Sequence, residues 1–291
     1  MLRRGNSIVV VASAALLLAG SSASAQTIKS LFFDDFESYN LGTLDKNDTV
    51  TPGPNQAPNG SGNPWFGPYT PSPNLVVVGP ENGVTPHSGQ QMIRGRVPRD
   101  GDQDWYNLAF RLNNGSPFPG NIALDWWFYD PVDPNDPNAD PTTFRDTAAV
   151  AYYDTAPTDR DGPDQLPSWA LFQGAVNVQR LALGAGENVT GPGFDPTMYQ
   201  ARVLGADDAL GSGWFNTSTP RSLGWHHGMI VVGPVLADGT NDVMFFIDDL
   251  TNPTLDHNSV SNFGYNILEL NSVFGPVTGY YDDVNFSIIT P

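Results

Sequence analysis

Tryptophan is the residue type in this sequence best suited to contact a ligand, because sugars stack their C–H faces on exposed indole rings while nearby polar groups bind the hydroxyls. Trp65 and Trp214 lie in segments rich in Gly and Asn. Trp126 and Trp127 are consecutive, so on a strand one of them faces away from the core. We predict ligand contacts from these four and place Trp225 in the core.

The acids and histidines do not form a recognisable catalytic set. A glycoside hydrolase needs two carboxyl groups about 5–5.5 Å apart for retention, or wider for inversion. Asp125 and Asp130 share one apolar segment but lie five positions apart, so on a strand they face opposite sides. His226 and His227 are adjacent and diverge for the same reason. No Gly-x-Ser-x-Gly elbow supports a nucleophilic serine. The sequence therefore predicts a protein that is not an enzyme.

The elements that carry these residues are short strands separated by turn clusters. In the last of them Val284, Phe286 and Ile288 alternate with polar residues, which indicates one buried face and one wet face. No helical period is sustained, so the pattern predicts an all-β, two-sheet antiparallel jelly-roll sandwich. The predicted strands are Ile28–Phe33, Leu75–Val78, Gln91–Val97, Tyr106–Leu112, Ile122–Tyr129, Ala148–Tyr153, Val176–Leu183, Tyr199–Leu204, Met229–Val232, Val243–Ile247 and Tyr280–Ile289.

Three segments rich in Pro, Gly, Asn and Asp are predicted to be long surface loops: Asn47–Ser72, Asp130–Pro141 and Thr155–Pro167. Proline removes a ladder donor, so none of them can be a central strand. The strand pattern continues on both sides of each loop, which predicts a single domain over residues 26–291.

Composition limits the partners. The chain has 291 residues, 13 Lys and Arg against 31 Asp and Glu, and a net charge of −18. Such acidity excludes nucleic acid as a partner, because counterion release needs basic residues. The excess of acidic residues fits either a saline habitat or metal binding. Cysteine is absent, which rules out disulfides, thiolate nucleophiles and cysteine-based metal sites.

Residues 1–25 have the pattern of a secretory signal peptide. A short basic start precedes the apolar run Ile8–Gly20, and Ala23-Ser24-Ala25 is a small-x-small cleavage site. No second apolar stretch is long enough to span a membrane. We expect a mature chain that does not insert into a membrane and is secreted or held at the outer surface of a bacterium.

The two ends of the chain carry a family resemblance. Phe33-Asp34-Asp35-Phe36-Glu37 stands near the start and Tyr281-Asp282-Asp283-Val284 near the end, with Gly224-Trp225-His226 and the run from Val243 to Asp249 between them. This order resembles secreted bacterial domains of the concanavalin A-like lectin/glucanase superfamily, in the laminin-G-like branch. Similar proteins in some bacteria end in a Pro-Glu-Pro sorting signal with an apolar tail. The resemblance implies a jelly roll whose first and last strands are adjacent.

The same resemblance implies a structural calcium ion where the first and last strands meet. The matching positions are Asp35, Glu37 and Asp283, with backbone carbonyls completing the shell of oxygen ligands. Glucanases of the superfamily carry Glu-x-Asp-x-x-Glu on one strand. The strand around Trp126 contains no Glu, so the resemblance does not extend to that mechanism.

Together these observations predict an exported, non-catalytic recognition module that is stabilised by calcium and binds a polysaccharide or a cell-surface glycan. One alternative is a structural or adhesive surface or matrix protein that binds protein or associates with itself. A second alternative is a polysaccharide-degrading enzyme, such as a lyase that uses His and Tyr.

Overall fold

The computed structural model describes residues 27–44, 65–66, 76–95, 105–113, 116–134, 136–143, 146–152, 179–185, 193–204, 213–261, 264–273 and 278–290. The predicted signal peptide and the predicted loop Thr155–Pro167 lie outside these residues. Within these residues no helix is long and apolar enough to cross a membrane.

The larger of two antiparallel sheets has nine strands. Its order across the sheet starts at β14 (Leu255–Ser261) and continues through β13 (Thr240–Ile247), β12 (Gly224–Val232), β7 (Ile122–Asp130), β16 (Tyr280–Thr290), β5 (Met92–Arg94), β4 (Val76–Val78) and β2 (Gly42–Thr43), while β1 (Thr27–Asp34) pairs with β16.

The smaller sheet has seven strands. Its order is β11 (Gly213–Pro220), β10 (Met198–Leu204), β9 (Gln179–Gly184), β8 (Asp146–Tyr152), β15 (Ile267–Val273), β6 (Trp105–Arg111) and β3 (Trp65–Phe66). A single 3-10 turn, Pro141–Thr143, lies between β7 and β8 in the described part of the chain.

The core lies between the two sheets. Along β7 the side chains of Leu124, Trp126 and Phe128 are buried and belong to the main core cluster, whereas the residues between them are half-buried. Strands β8, β9 and β10 supply the facing aliphatic and aromatic side chains. Two antiparallel sheets with their apolar faces opposed confirm the predicted jelly-roll sandwich.

The first and last strands are adjacent, as predicted. Residues 27–34 of β1 run antiparallel to residues 284–290 of β16, and β16 also pairs with β7 and β5. The last strand thus joins three others in the larger sheet.

Each of the eleven predicted strands overlaps a strand of the structure, but the sequence did not predict β2, β3, β11, β14 or β15. The assignment of all of Asn47–Ser72 as loop was wrong at Trp65–Phe66, which pairs with β6 at the end of the smaller sheet. Strand β15 was missed although Leu268 and Leu270 alternate with Glu269 and Asn271 in its sequence.

Two buried carboxylates fix the chain where strands end. Asp34, at the end of β1, accepts hydrogen bonds from the Tyr39 hydroxyl (2.7 Å) and the Trp65 indole nitrogen (2.8 Å). Asp130, at the end of β7, holds Arg221 through two contacts of 2.8 and 3.0 Å, and both side chains are buried. Burying a carboxylate is costly unless donors surround it, so these contacts define where the neighbouring loops pack.

Gly228 provides a test of the packing. It is the register partner of Trp126, and a Cβ at position 228 would lie 2.6 Å from Cζ2 of that indole. Gly228→Ala should therefore lower the free energy of unfolding by about 1–3 kcal/mol, because the ring must shift within a packed core. Chemical denaturation measures the change.

The matched control is Gly213→Ala on edge strand β11, where an added Cβ would meet nothing within 4 Å. We expect that substitution to change the free energy of unfolding by less than about 0.5 kcal/mol. An equal loss in both variants would contradict the steric explanation.

Candidate functional site

The candidate site lies on the face of the larger sheet that points away from the core. Because side chains alternate along β7, Asp125, Trp127 and Tyr129 lie on this face and are half-buried. Strand β12 lies beside β7 with His227 opposite Trp127 and Trp225 opposite Tyr129. Two neighbouring strands thus place four aromatic rings on one outward surface.

Trp127 is the centre of this surface. The imidazole of His87 stacks on its indole with ring centroids 3.6 Å apart and planes at 13°, and the imidazole of His227 stacks at 4.8 Å and 12°. We call the side chains of His87, Trp127, Tyr129, Trp225 and His227 the aromatic patch.

Trp225 forms the second part of the aromatic patch. Its ring meets Tyr129 edge-on at 5.6 Å and His87 edge-on at 6.0 Å. Its indole nitrogen donates to the backbone oxygen of Thr85 at 2.9 Å. Trp225 is half-buried on the outer face, so the prediction that it lies in the core was wrong.

Polar groups flank the aromatic patch. Asp125 contacts Nε2 of His227 at 3.3 Å and accepts a hydrogen bond from Nδ2 of Asn285 at 2.8 Å. Asp283 contacts Nδ1 of His87 at 2.7 Å and accepts one from the Ser88 hydroxyl at 2.7 Å. Each imidazole is therefore oriented by its own carboxylate.

The segment 85–91, which carries His87, has no regular secondary structure and is held by carboxylates from other parts of the chain. Glu37 accepts hydrogen bonds from the backbone nitrogens of Gln90 and Gln91, each at 2.6 Å. Asp282 accepts one from the backbone nitrogen of Ser88 at 3.0 Å. Residue 89 is Gly with φ of 59°, and a Cβ there would collide with the Glu37 carboxylate. Acidic residues thus position His87 against Trp127.

Asp282 is fully buried beneath this segment. Burial raises the pKa of its carboxyl to about 8, in spite of backbone hydrogen bonds that favour the charged form. The neighbouring Asp283 has a positive φ of 47°, and the β16–β7 register shifts between Asp282 and Asn285. Because of this bulge, Asp282 lies beneath the segment that carries His87, and Asp283 lies beside the imidazole.

His226 has a serine and an aspartate as neighbours, as in a Ser-His-Asp triad, but its hydrogen bonds do not allow it to act as the base of such a triad. His226 points to the opposite side of β12, with Nδ1 2.8 Å from Asp248 and Nε2 3.4 Å from the Ser222 hydroxyl. The same Nε2 is 2.8 Å from the backbone oxygen of Ser222, so it acts as a donor there and cannot accept the hydroxyl proton. Burial lowers the pKa of His226, but the hydrogen bonds to Asp248 and to the Ser222 backbone, together with the charges of Asp248 and Asp130, outweigh burial and leave the pKa above its ordinary value.

The four tryptophans predicted to contact a ligand separate into two groups. Trp65 and Trp126 are fully buried, so for these two the prediction was wrong: the indole of Trp65 packs against Phe32 and Phe36 and that of Trp126 against Phe128. Trp127 lies in the aromatic patch. Trp214 is half-buried on β11 of the other sheet, with the Arg202 guanidinium 5.4 Å from its ring. The structure does not bring Trp127 and Trp214 together, because they lie on different sheets.

The three residues predicted to bind calcium hold other partners. Glu37 binds the amides of segment 85–91, Asp283 binds His87 and Ser88, and Asp35 accepts a hydrogen bond from the backbone nitrogen of Glu37 at 3.2 Å. Among the described residues no group of three His, Cys, Asp or Glu side chains could hold a metal ion. Calcium binding by these three acids, with backbone carbonyls completing the shell, remains a prediction.

Sequence reasoning missed His87, Tyr129, Trp225 and His227 as members of one site. Alternation along β7 and β12 was the available signal, since it places Trp127, Tyr129, Trp225 and His227 on outward faces. No pattern around His87 indicates that this residue packs on Trp127.

No model of a protein family and no curated protein sequence matches the chain. Solved structures with a similar backbone path include a carbohydrate esterase from Shiga toxin-encoding bacteriophage phi24B, with 10% identity, a TM-score of 0.46 and coverage of 90% of this chain and 99% of that chain. A protein of unknown function with a galectin-like fold from Bacillus subtilis has 12% identity, a TM-score of 0.45 and coverage of 89% and 99%. A Bacillus licheniformis β-glucanase has 11% identity, a TM-score of 0.43 and coverage of 90% and 99%.

The raised pKa of Asp282 predicts how stability depends on pH. The folded state keeps a proton that the unfolded chain releases near pH 4, so the contribution of Asp282 is complete below that pH and is lost as pH rises through about 8. We expect the melting temperature to fall between pH 5 and pH 8. In Asp282→Asn, a neutral isostere, this fall should be smaller, by an amount equivalent to no more than about 5 kcal/mol. Thermal melts across this range provide the measurement.

The control is Asp136→Asn, which removes an exposed carboxyl that accepts local hydrogen bonds from Asn138. It should leave the slope of melting temperature against pH unchanged. A slope identical in wild type and Asp282→Asn would show that this carboxyl is already charged at pH 5.

Proposed function

We propose that the protein is a non-catalytic recognition module that binds carbohydrate at the aromatic patch. The observation that carries the proposal is the group of half-buried rings of Trp127, Tyr129 and Trp225, placed beside Asp125, Asp283 and Asn285 on one face of the larger sheet. Aromatic rings offer a platform for the C–H face of a sugar, and fixed polar groups at its border bind hydroxyls.

The packing of the site supports binding without large rearrangement. Trp127, Tyr129, Trp225 and His227 are anchored on strands, and His87 is held through Asp283 and Asp282. A surface that is already ordered loses little conformational entropy when a ligand arrives, which favours affinity.

The hydrogen bonds of the acids support a non-catalytic role. A hydrolytic pair needs one carboxyl to be a free acid or base at the scissile bond. Asp125 and Asp130 face opposite sides of β7, and Asp130 is buried against Arg221. Asp125 and Asp283 are both engaged with an imidazole and a second donor.

The test uses binding and product release together. The purified protein is incubated with a panel of insoluble and soluble polysaccharides, and both depletion from solution and the appearance of reducing or unsaturated ends are followed. We expect depletion without product. Trp127→Ala and Trp225→Ala should each weaken binding by at least about tenfold, because each removes part of the platform.

Trp214→Ala is the matched control, since it removes the same side chain from the opposite sheet and should leave binding intact. Melting curves of all three variants show that they are folded. Loss of binding in Trp214→Ala alone would move the site to the smaller sheet, and release of product would make the protein an enzyme. If no polysaccharide depletes the protein, the proposal fails and sedimentation would test self-association instead.

A further inference from the structure

We infer that the aromatic patch selects glycans by charge: it takes sugars that present hydroxyl or ammonium donors, prefers amino sugars, and rejects glycans that carry carboxylate or sulfate groups. This inference rests on the proposed function and specifies the substrate class of the same site.

The first support is the position of the two partly accessible carboxylates. Asp125 lies two residues before Trp127 on the same strand face, and its side chain is 25% exposed. Asp283 lies on neighbouring β16 with 13% of its side chain exposed. A sugar stacked on the aromatic patch would thus have an acidic group on the β7 side and another on the β16 side. Each carboxylate accepts two hydrogen bonds within the protein, and an ammonium at its border would use the remaining acceptor sites in a charge-assisted hydrogen bond, while a carboxylate would be repelled.

The second support is the inventory of donors around the aromatic patch. The amide of Asn285 donates to Asp125 and Ser287, the hydroxyl of Ser88 to Asp283, and the indole nitrogen of Trp225 to Thr85. These donors are already used within the protein. The indole N–H of Trp127 and the hydroxyl of Tyr129 are neutral, and neutral donors bind a carboxylate more weakly than charged ones do. A ligand rich in donors therefore matches this border better than a ligand rich in acceptors.

The third support is where the positive side chains lie. An anionic glycan needs Arg or Lys at its site, and the side chains of this kind in the described part of the chain are engaged or placed elsewhere. They are Lys29 on β1, Arg94 paired with Glu81 at 3.2 Å, Arg111 and Arg180 on strands β6 and β9 of the other sheet, Arg202 over Trp214 on that same sheet, and Arg221 buried against Asp130. The net charge of −18 adds a repulsive field for any polyanion.

The experiment compares three hexasaccharides with the same β-1,4 linkage: a glucose hexamer, a glucosamine hexamer and a mannuronate hexamer. Each is titrated calorimetrically into the purified protein at 0.1 M and 1 M salt, where the Debye length falls from about 10 Å to about 3 Å. We expect affinity to decrease in the order glucosamine, glucose, mannuronate at low salt. The gap between glucosamine and mannuronate should narrow at high salt.

Two variants locate the effect. Asp125→Asn keeps the shape of the side chain and removes its charge, so it should weaken glucosamine binding about twofold to fivefold, the range of a partly exposed ion pair. Asp256→Asn makes the same change in net charge at an exposed residue of β14, away from the aromatic patch, and should leave the order and the affinities unchanged.

The outcomes separate the two proposals. Mannuronate binding as tightly as glucosamine, or an order that neither salt nor Asp125→Asn affects, would overturn the selection by charge while leaving carbohydrate binding in place. An equal loss of affinity for the glucosamine hexamer in Asp125→Asn and Asp256→Asn would show that the effect comes from net charge alone, and it would overturn the role of Asp125. Binding of none of the three hexamers, together with no depletion by any polysaccharide, would overturn the proposed function itself.

Discussion

A carboxylate removed from water must be surrounded by donors or lose its charge, and this constraint organises the parts of the molecule that the sheets alone do not fix. Asp34, Asp130 and Asp282 are all buried, each on a strand of the larger sheet. Each collects partners from distant parts of the chain: an indole, a guanidinium and a backbone amide. The acidity of the sequence is in part a supply of internal acceptors that hold loops on a sandwich without disulfides.

The aromatic patch also depends on acidic side chains that hold a loop in place through hydrogen bonds. Strands β7 and β12 place Trp127 and His227 side by side through ordinary pairing, but His87 comes from a segment without secondary structure. It reaches Trp127 because Asp282, Asp283 and Glu37 fix that segment at successive points. Glu37 and Asp283 are two of the three acids that the resemblance assigns to calcium, and both contact the loop at residues 87–91. They join the start and the end of the chain to the loop between them.

The sequence allowed prediction of features that depend on local alternation. The opposite directions of Asp125 and Asp130 and the divergence of His226 and His227 follow from a period of two and agree with the structure. On β16 the predicted alternation holds from Asp283 to Phe286, but it was wrong beyond that point, because Ser287 is buried and Ile288 only half-buried. Features that depend on contacts between residues far apart in the chain could not be predicted from the sequence. Trp65 is in a loop by composition, yet its nitrogen bonds to Asp34 in the core. Strand register and the path of segment 85–91 create the aromatic patch, and neither produces a pattern in the local sequence.

The pairing of the first and last strands has a consequence for how the chain folds. The hydroxyl of Ser30 bonds to the side chain of Asn285 across 255 residues, and His87 meets Asp283 across 196. Closing such long loops costs entropy before any contact is gained, so folding belongs to the slow class of milliseconds to seconds. Until β16 arrives, β1, β5 and β7 have unpaired edges, which are the surfaces on which partly folded chains associate. We therefore expect the contacts between residues most distant in the chain to set the folding rate of this protein.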